Sequence, residues 1–195
     1  MTATLPPAVQ AIFQRFVTTE LTTIDSRGQP VTWPVTPFYR LGDPCIRVTT
    51  GLGYPRKAHD ARRNPKVALL FSDDTGSGIE RPSMVLVQGT AEVDDGDLAA
   101  NRERYVEDTA AKPTGGRPAP PASATGGRFD WYYTRIYLHV RPERVYVWPG
   151  GDCGLDPELL LDIRAASDDS DDAGGAGGGD APAGPGGGPA RWHGR

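Results

Sequence analysis

The feature that most constrains this fold is a basic segment set between two strand patterns, in residues 49–73, TTGLGYPRKAHDARRNPKVALLFSD. Two threonines followed by glycine indicate the end of a strand. Pro55 begins a short helix, which must end before Pro65. The apolar run at 67–72 is bounded by turn residues and predicts a buried strand. Two strands so close in sequence indicate a β-rich fold with short inserted helices.

The rest of the chain supports this interpretation. Segments 18–25 and 30–40 flank the turn signal Ser-Arg-Gly and predict a hairpin. Further strands are predicted at 45–50 and 84–94, and period-two patterns at 136–141 and 144–148 predict two more, separated by a break at Pro142. Helices are predicted near the N-terminus, at 95–111 and at 157–165. The pattern predicts six or seven antiparallel strands in a closed or partly closed β-barrel with helical caps.

Three local features sharpen this prediction. Gly89 lies inside the strand predicted at 84–94 and indicates a bulge or a close approach of two backbones. Pro34 and Pro37 remove two backbone donors from the segment 30–40, which favours an edge position for that strand. Apolar residues recur at helical spacing in the first helix, and the face that they form is predicted to pack on the core. These residues are Val9, Ile12, Phe13, Phe16 and Val17.

Composition separates one folded domain from a tail. Residues 166–195 are rich in glycine, aspartate and proline and hold almost no aliphatic residue to bury, so we predict that they are disordered. A second Gly/Pro/Ala-rich stretch at 112–127 predicts a long internal loop. The folded domain is therefore predicted to span residues 1–165.

Composition also excludes several classes of function. The formal charge of −4 argues against a nucleic-acid-binding domain, which is normally basic. No long apolar run or N-terminal signal segment is found, so a cytoplasmic protein without a membrane span is predicted. Cys45 and Cys153 are too few to form a disulfide framework or a zinc site. The three histidines are scattered, which predicts no metal site, and no catalytic residue can be assigned from spacing.

The basic segment has two readings. Five cations lie within it: Arg56, Lys57, Arg62, Arg63 and Lys66. Such a run is often no more than a solvated helix surface. Beside threonine and glycine, however, Lys and Arg donors and backbone N–H groups can converge on one phosphate dianion. The order and spacing of the motifs around the segment decide between these readings.

Several motifs resemble those of one known family. They are Gly28-Gln29-Pro30, Thr49-Thr50, Arg56-Lys57-Ala58-His59, Asn64-Pro65 and Val87-Gln88-Gly89-Thr90-Ala91-Glu92. In their order and spacing the chain resembles the pyridoxamine 5'-phosphate oxidase-like superfamily of flavin-binding split β-barrels. The resemblance covers residues 16–93 and continues more loosely to residue 148. It implies a mainly β fold, a six- to seven-stranded antiparallel split β-barrel with short capping helices.

The resemblance also implies a cofactor and a partner. Members of the superfamily bind FMN, or in one branch the deazaflavin coenzyme F-420, in a groove between two protomers, so a homodimer is expected. The residues that match the phosphate end of that groove are Arg56, Lys57, Thr49 and Thr50. The residues that match the strand along the isoalloxazine ring are Trp33, Pro34, Val35 and Thr36. Gln88 lies on a strand that approaches the ring in this family.

Two departures limit what is carried over. Trp33 stands where many oxidases of the family have an arginine, and the C-terminal residues that hold a substrate phosphate have no match. Oxidation of vitamin B6 itself is therefore not predicted. The resemblance leads to a flavin (FMN)-binding oxidoreductase acting on an unknown small molecule. A deazaflavin-dependent reductase and a non-catalytic flavin- or haem-binding module remain as alternatives, and Arg62, Arg63 and Lys66 would suit the longer acidic tail of the deazaflavin.

Overall fold

The computed structural model describes residues 5–113 and 130–163. Most of the predicted internal loop and the predicted tail, with His193, lie outside the described residues. The helices are α1 (Pro7–Arg15), α2 (Arg56–Arg63), α3 (Leu98–Ala111) and α4 (Asp130–Tyr133). The strands are β1 (Thr19–Ile24), β2 (Pro30–Val35), β3 (Ile46–Gly51), β4 (Lys66–Phe71), β5 (Met84–Asp94), β6 (Arg135–Trp148) and β7 (Glu158–Asp162).

The seven strands form one sheet with the order β2-β1-β4-β5-β6-β3, and β7 pairs with β6. Every pair is antiparallel. The predicted mainly β, antiparallel split-barrel fold with short helices is thereby confirmed. The sheet is not closed, because β2 and β3 stand at its two ends. One isolated bridge joins these ends, where the N–H of Phe38 donates to the carbonyl of Arg47 at 2.7 Å and the reverse bond is 2.8 Å.

The prediction that the proline-containing strand lies at an edge is confirmed. In the β1–β2 hairpin the N–H of Asp25 donates to the carbonyl of Gln29 at 2.9 Å, and Gly28 takes a φ of 79° to complete the turn. Hydrogen-bonded pairs alternate along an antiparallel ladder, so the backbone polar groups of Thr32, Pro34 and Thr36 point away from β1. Proline at position 34 therefore removes a donor from the free edge and costs the ladder nothing.

The core lies between the inner face of the sheet and α1. The predicted apolar face of α1 is confirmed for Val9, Ile12, Phe13 and Phe16, all at most 3 % exposed. The ring centroids of Phe13 and Phe71 on β4 are 4.9 Å apart. Burying several aromatic side chains against one sheet face supplies a large share of the hydrophobic stabilisation.

The bulge predicted at Gly89 is confirmed, since the register between β5 and β6 shifts between Gln88 and Gly89. An added Cβ at Gly89 would lie 2.1 Å from the carbonyl oxygen of Arg141, so the two backbones approach too closely for any side chain. Gln88 pairs with Arg144 and Gly89 pairs with Pro142, so the extra residue of the bulge is Glu143 on β6. The predicted break at Pro142 was wrong, because β6 continues through the proline as one strand of 14 residues. The bulge accommodates the proline within the strand.

Replacing Gly89 by alanine is expected to lower the free energy of unfolding by about 3 kcal/mol, because the methyl group overlaps a backbone oxygen that cannot rotate away. Urea denaturation measures this change. The control is Gly96→Ala, since a Cβ there meets no atom within 4 Å. Equal destabilisation by the two substitutions would contradict the proposed close approach.

The helix predicted at 157–165 was wrong, because residues 158–162 form β7. The outer part of β6 offers an unpaired ladder there, and β7 pairs with it from Arg144 to Val147. Leu160 and Leu161 pack against the core cluster. Glu and Leu are good helix formers, but so short a segment is a marginal helix by itself, and pairing with β6 and burial of the leucines outweigh its propensity.

A buried carboxylate connects α3 to the sheet. The side chain of Asp108 is 2 % exposed and lies 2.9 Å from Arg40 and 3.7 Å from Arg47 on β3. The hydroxyl of Tyr137 on β6 donates to the same carboxylate at 3.1 Å. Burial, and then the negative charge of Asp108, raise the pKa of Tyr137.

A buried lysine ends the same helix. The Nζ atom of Lys112 donates to the carbonyls of Gln14 and Pro37, at 3.0 Å and 2.5 Å. Burial lowers the pKa of Lys112 to about 8. The unfolded chain therefore binds more protons than the folded chain between this value and the ordinary value of 10.5. Stability must then rise with pH across that window.

The protein is accordingly expected to gain ~2 kcal/mol of stability, relative to a Lys112→Met variant, between about pH 7 and about pH 10. Urea denaturation of both proteins at each pH measures the gain. Taking the difference between the two proteins removes the titration of groups that they share. A difference that stays constant with pH would show that Lys112 keeps an ordinary pKa.

Candidate functional site

The opening between β2 and β3 is bordered by two unpaired backbone edges. Continuing the antiparallel register of the Phe38–Arg47 bridge places Thr36 level with Thr49. By the same alternation the N–H and C=O groups of both threonines point into the opening. Pro34 lacks the donor that another pair across the opening would need. The two strand edges therefore stay apart, and their backbone N–H and C=O groups remain open to a bound molecule.

The N-terminal end of α2 brings two cations to this opening. The Nζ atom of Lys57 lies 5.0 Å from the ring centroid of Trp33, and the Cζ atom of Arg56 lies 6.0 Å from it. Trp33 is partly buried, and its Nε1 atom is buried without a hydrogen-bond partner in the part of the chain that the structure describes. A buried N–H donor without an acceptor is costly, which points to an acceptor on a bound molecule.

The loop before α2 is held by the end of β3. The hydroxyl of Thr50 donates to the carbonyl of Tyr54 at 2.7 Å, and the N–H of Tyr54 donates to Gly51 at 3.0 Å. Thr50 is 2 % exposed, so its hydroxyl serves the loop, whereas the side chain of Thr49 lies on the other face of β3 and is partly exposed. The loop thereby sets where Lys57 and its helix begin.

Most of the basic segment is neutralised by acids. Arg56 lies 3.6 Å from Asp25 and 3.7 Å from Asp60, and Asp60 also lies 3.5 Å from Arg63. Arg62 forms an ion pair with Asp95. These contacts favour the surface interpretation for the arginines at 62 and 63.

Lys57 differs from these arginines, because no carboxylate within residues 5–113 or 130–163 pairs with it. Burial lowers its pKa, and the positive charge of Arg135 lowers it further. Arg135 begins β6 opposite Gly51. Two like charges are therefore held near each other, and no carboxylate of the described residues forms an ion pair with either of them.

Arg135 is a candidate residue that the sequence analysis did not identify. The Cζ atom of its guanidinium lies 4.7 Å from the ring centroid of Tyr105 and 4.6 Å from that of Tyr132. One of its Nη atoms donates to the Tyr105 hydroxyl at 3.4 Å, and its Nε atom is buried without a partner among the described residues. Only the pairing of β3 with β6 brings it near α2, and no local pattern in the sequence indicates that pairing.

Gln88 does not join this group within one chain. Gln88 pairs with Ala68, which pairs with Thr22, so all three lie on the outer face of the sheet. Trp33 pairs with Leu21 on the inner face. Gln88 instead lines an outer cavity of about 320 Å³. Of the other strand residues singled out, Val35 is buried, Thr36 is partly exposed and Pro34 is exposed on the outer face.

Among the described residues, no helix is both long enough and apolar enough to cross a membrane. The same residues contain no group of three or more His, Cys, Asp or Glu side chains placed to hold a metal ion. The opening between β2 and β3 therefore offers cationic, aromatic and backbone groups as its binding chemistry.

Comparison with known proteins assigns the class of protein that this fold and opening define. The family model described as pyridoxamine 5'-phosphate oxidase matches residues 5–148, and the chain belongs to this family. No curated protein matches the chain.

Solved structures share the fold at low sequence identity. The conserved hypothetical protein Rv2991 from Mycobacterium tuberculosis is 22% identical, with a TM-score of 0.56, covering 78% of this chain and 90% of that one. A protein named "F420 Reductase" is 20% identical, with a TM-score of 0.51, covering 72% and 98%. A general stress protein 26-related protein from Clostridium acetobutylicum is 15% identical, with a TM-score of 0.50, covering 80% and 93%.

Proposed function

We propose that the protein binds FMN in the opening between β2 and β3 and acts as an oxidoreductase on a small molecule. The observation that carries this proposal is the position of Lys57 over Trp33, at one end of two unpaired backbone edges. A flavin phosphate needs a cation, and the polar edge of the ring needs backbone donors and acceptors. Membership of the pyridoxamine 5'-phosphate oxidase family supports the same assignment.

The residues present fit such a cofactor. Lys57 supplies a partly desolvated ammonium group without an acidic partner among the described residues, which favours a dianion beside it. The indole N–H of Trp33 would donate to a ring carbonyl, and the backbone of Thr36 and Thr49 would address the remaining polar atoms. Bound FMN would supply hydride-transfer chemistry, and these residues would orient it and keep water from one of its faces.

FMN is favoured over the deazaflavin coenzyme F-420. The two arginines that would suit the longer acidic tail are already paired, Arg62 with Asp95 and Arg63 with Asp60. Lys66 lies on the outer cavity beside Gln88. A single phosphate site at Lys57 is therefore better supported than a series of anion sites along α2 for a longer acidic tail.

We further propose a homodimer as the functional unit. Gln88 lies on the outer face of the sheet, away from Lys57 and Trp33 of its own chain. It would reach a flavin only if a second protomer placed its opening against this face. The resemblance to flavin-binding split barrels, whose groove lies between two protomers, supports this arrangement.

Flavin titration followed by fluorescence tests the proposal. We expect FMN to bind with micromolar affinity or tighter, and the bound cofactor to accept electrons from a nicotinamide donor. Mass spectrometry of cofactor released from the purified protein distinguishes FMN from F-420 and haem. Binding without turnover, with any reductant or small-molecule oxidant, would instead indicate a binding module. Absence of flavin binding would rule the proposal out.

A further inference from the structure

We propose that Arg135, rather than Arg56, is the second cation of the phosphate site, and that with Lys57 it selects a cofactor carrying a phosphate monoester. The inference rests on the proposed function, since it names residues of the same opening. Sequence neighbours such as Arg56 and Lys57 are the obvious pair for one phosphate. Their surroundings in the fold distinguish them.

Arg56 is already neutralised. Its guanidinium lies between Asp25, at 3.6 Å, and Asp60, at 3.7 Å. The backbone N–H groups of Gln29 and Arg27 donate to Asp25 and lower its pKa, so this carboxylate is ionised at neutral pH. An incoming dianion would have to compete with both acids. The side chain of Arg56 is also 54% exposed, which suits it to cover the face of Trp33 instead.

Arg135 has the opposite surroundings. No carboxylate of the described residues pairs with it. Helix α2 contacts β6, where Arg135 pairs with Gly51, and after burial the positive charge of Arg135 also lowers the pKa of Lys57. Two cations without an acidic partner in the described ranges repel each other, and an anion placed between them removes that repulsion. Lys57 and Arg135 therefore form the unbalanced charge pair at this opening.

The geometry of Arg135 also suits an anion. Tyr105 and Tyr132 flank its guanidinium, so the planar group is held by its faces, and one of its Nη atoms donates to the Tyr105 hydroxyl at 3.4 Å. The Nε atom is buried and has no partner among the described residues. Gly51 leaves room beside the guanidinium, since a Cβ there would lie 3.0 Å from an Nη atom of Arg135. A pre-positioned fork beside the point charge of Lys57 is a suitable arrangement for a phosphate monoester.

The test compares FMN with riboflavin, which lacks the phosphate, in wild type, Arg135→Gln and Arg56→Gln. We expect Arg135→Gln to weaken FMN binding about 50-fold and to leave riboflavin binding within about twofold. Arg56→Gln should change FMN binding less than about threefold. Arg135→Lys, which keeps the charge without the fork, should recover part of the affinity. A larger loss with Arg56→Gln, or equal losses of FMN and riboflavin with Arg135→Gln, would overturn the inference.

A second measurement separates this inference from the proposed function. NMR titration of the Lys57 ammonium group with inorganic phosphate needs no flavin. Phosphate is expected to raise the pKa of Lys57 in the wild type and to have a much smaller effect in Arg135→Gln. If FMN fails to bind but this difference is seen, the flavin function is wrong and the anion site stands. If phosphate acts equally on both proteins, or on neither, the anion site is wrong.

Discussion

Replacing Lys57 by alanine is expected to weaken FMN binding about 100-fold, because the phosphate would lose a partly buried cation that has no acidic partner in the described structure. Lys57 also covers Trp33, at 5.0 Å from its ring centroid. Fluorescence titration at constant salt measures the change. The fold should survive, since Lys57 lies on the surface of α2 that faces the opening and leaves the buried Ala58 and Ala61 in place.

The matched control is Arg62→Ala on the same helix. Arg62 pairs with Asp95 at the surface, so its removal is expected to change FMN affinity less than about threefold. Equal losses from Lys57→Ala and Arg62→Ala would mean that the helix acts only through its summed charge. The FMN site would then have to lie elsewhere.

The second large effect is expected on stability. Asp108→Asn should lower the free energy of unfolding by about 3 kcal/mol, because it removes one of the two carboxylates that neutralise the buried guanidinium of Arg47. Arg47 is only 12% exposed and would keep Asp43 as its remaining acidic partner, while the hydroxyl of Tyr137 would lose its charged acceptor. Urea denaturation with a fixed slope measures the loss.

Asp95→Asn provides the control for this change. Asp95 pairs with Arg62, and its side chain is 39% exposed. The same change of carboxylate to amide there is expected to lower the free energy of unfolding by less than about 1 kcal/mol. If Asp108→Asn also lowers the free energy of unfolding by less than about 1 kcal/mol, the asparagine amide replaces the carboxylate as a partner for the arginines and Tyr137.

The parts of the fold that local chemistry decides were predictable from the sequence. Proline lacks a backbone donor wherever it lies, so Pro34 placed its strand at an edge. Glycine inside a strand pattern marked the bulge at Gly89. Where a distant partner decided the outcome, prediction failed. β7 is a strand because β6 offers it a ladder, and β6 continues through Pro142 because the bulge lies beside the proline.

The candidate site divides in the same way. The resemblance brought Trp33, Arg56 and Lys57 forward, and the fold places all three together. Asp60 lies four residues after Arg56, a spacing that brings side chains together on a helix, whereas Asp25 lies on the β1–β2 hairpin, and the sequence does not show that it meets Arg56. Arg135 depends on strand register, because it reaches α2 only when β6 pairs with β3. Propensity and spacing carry no information about such long-range pairings.

The proline-containing edge of β2 also decides what kind of molecule can occupy the opening. An exposed strand edge is a template on which foreign chains add as further strands, leading to aggregation. Pro30 and Pro34 stand at alternate outward positions of β2, so an incoming peptide would find no continuous series of donors. A compact ligand needs only a few backbone contacts and is not impeded. The same edge thus rejects polypeptides and remains open to small molecules.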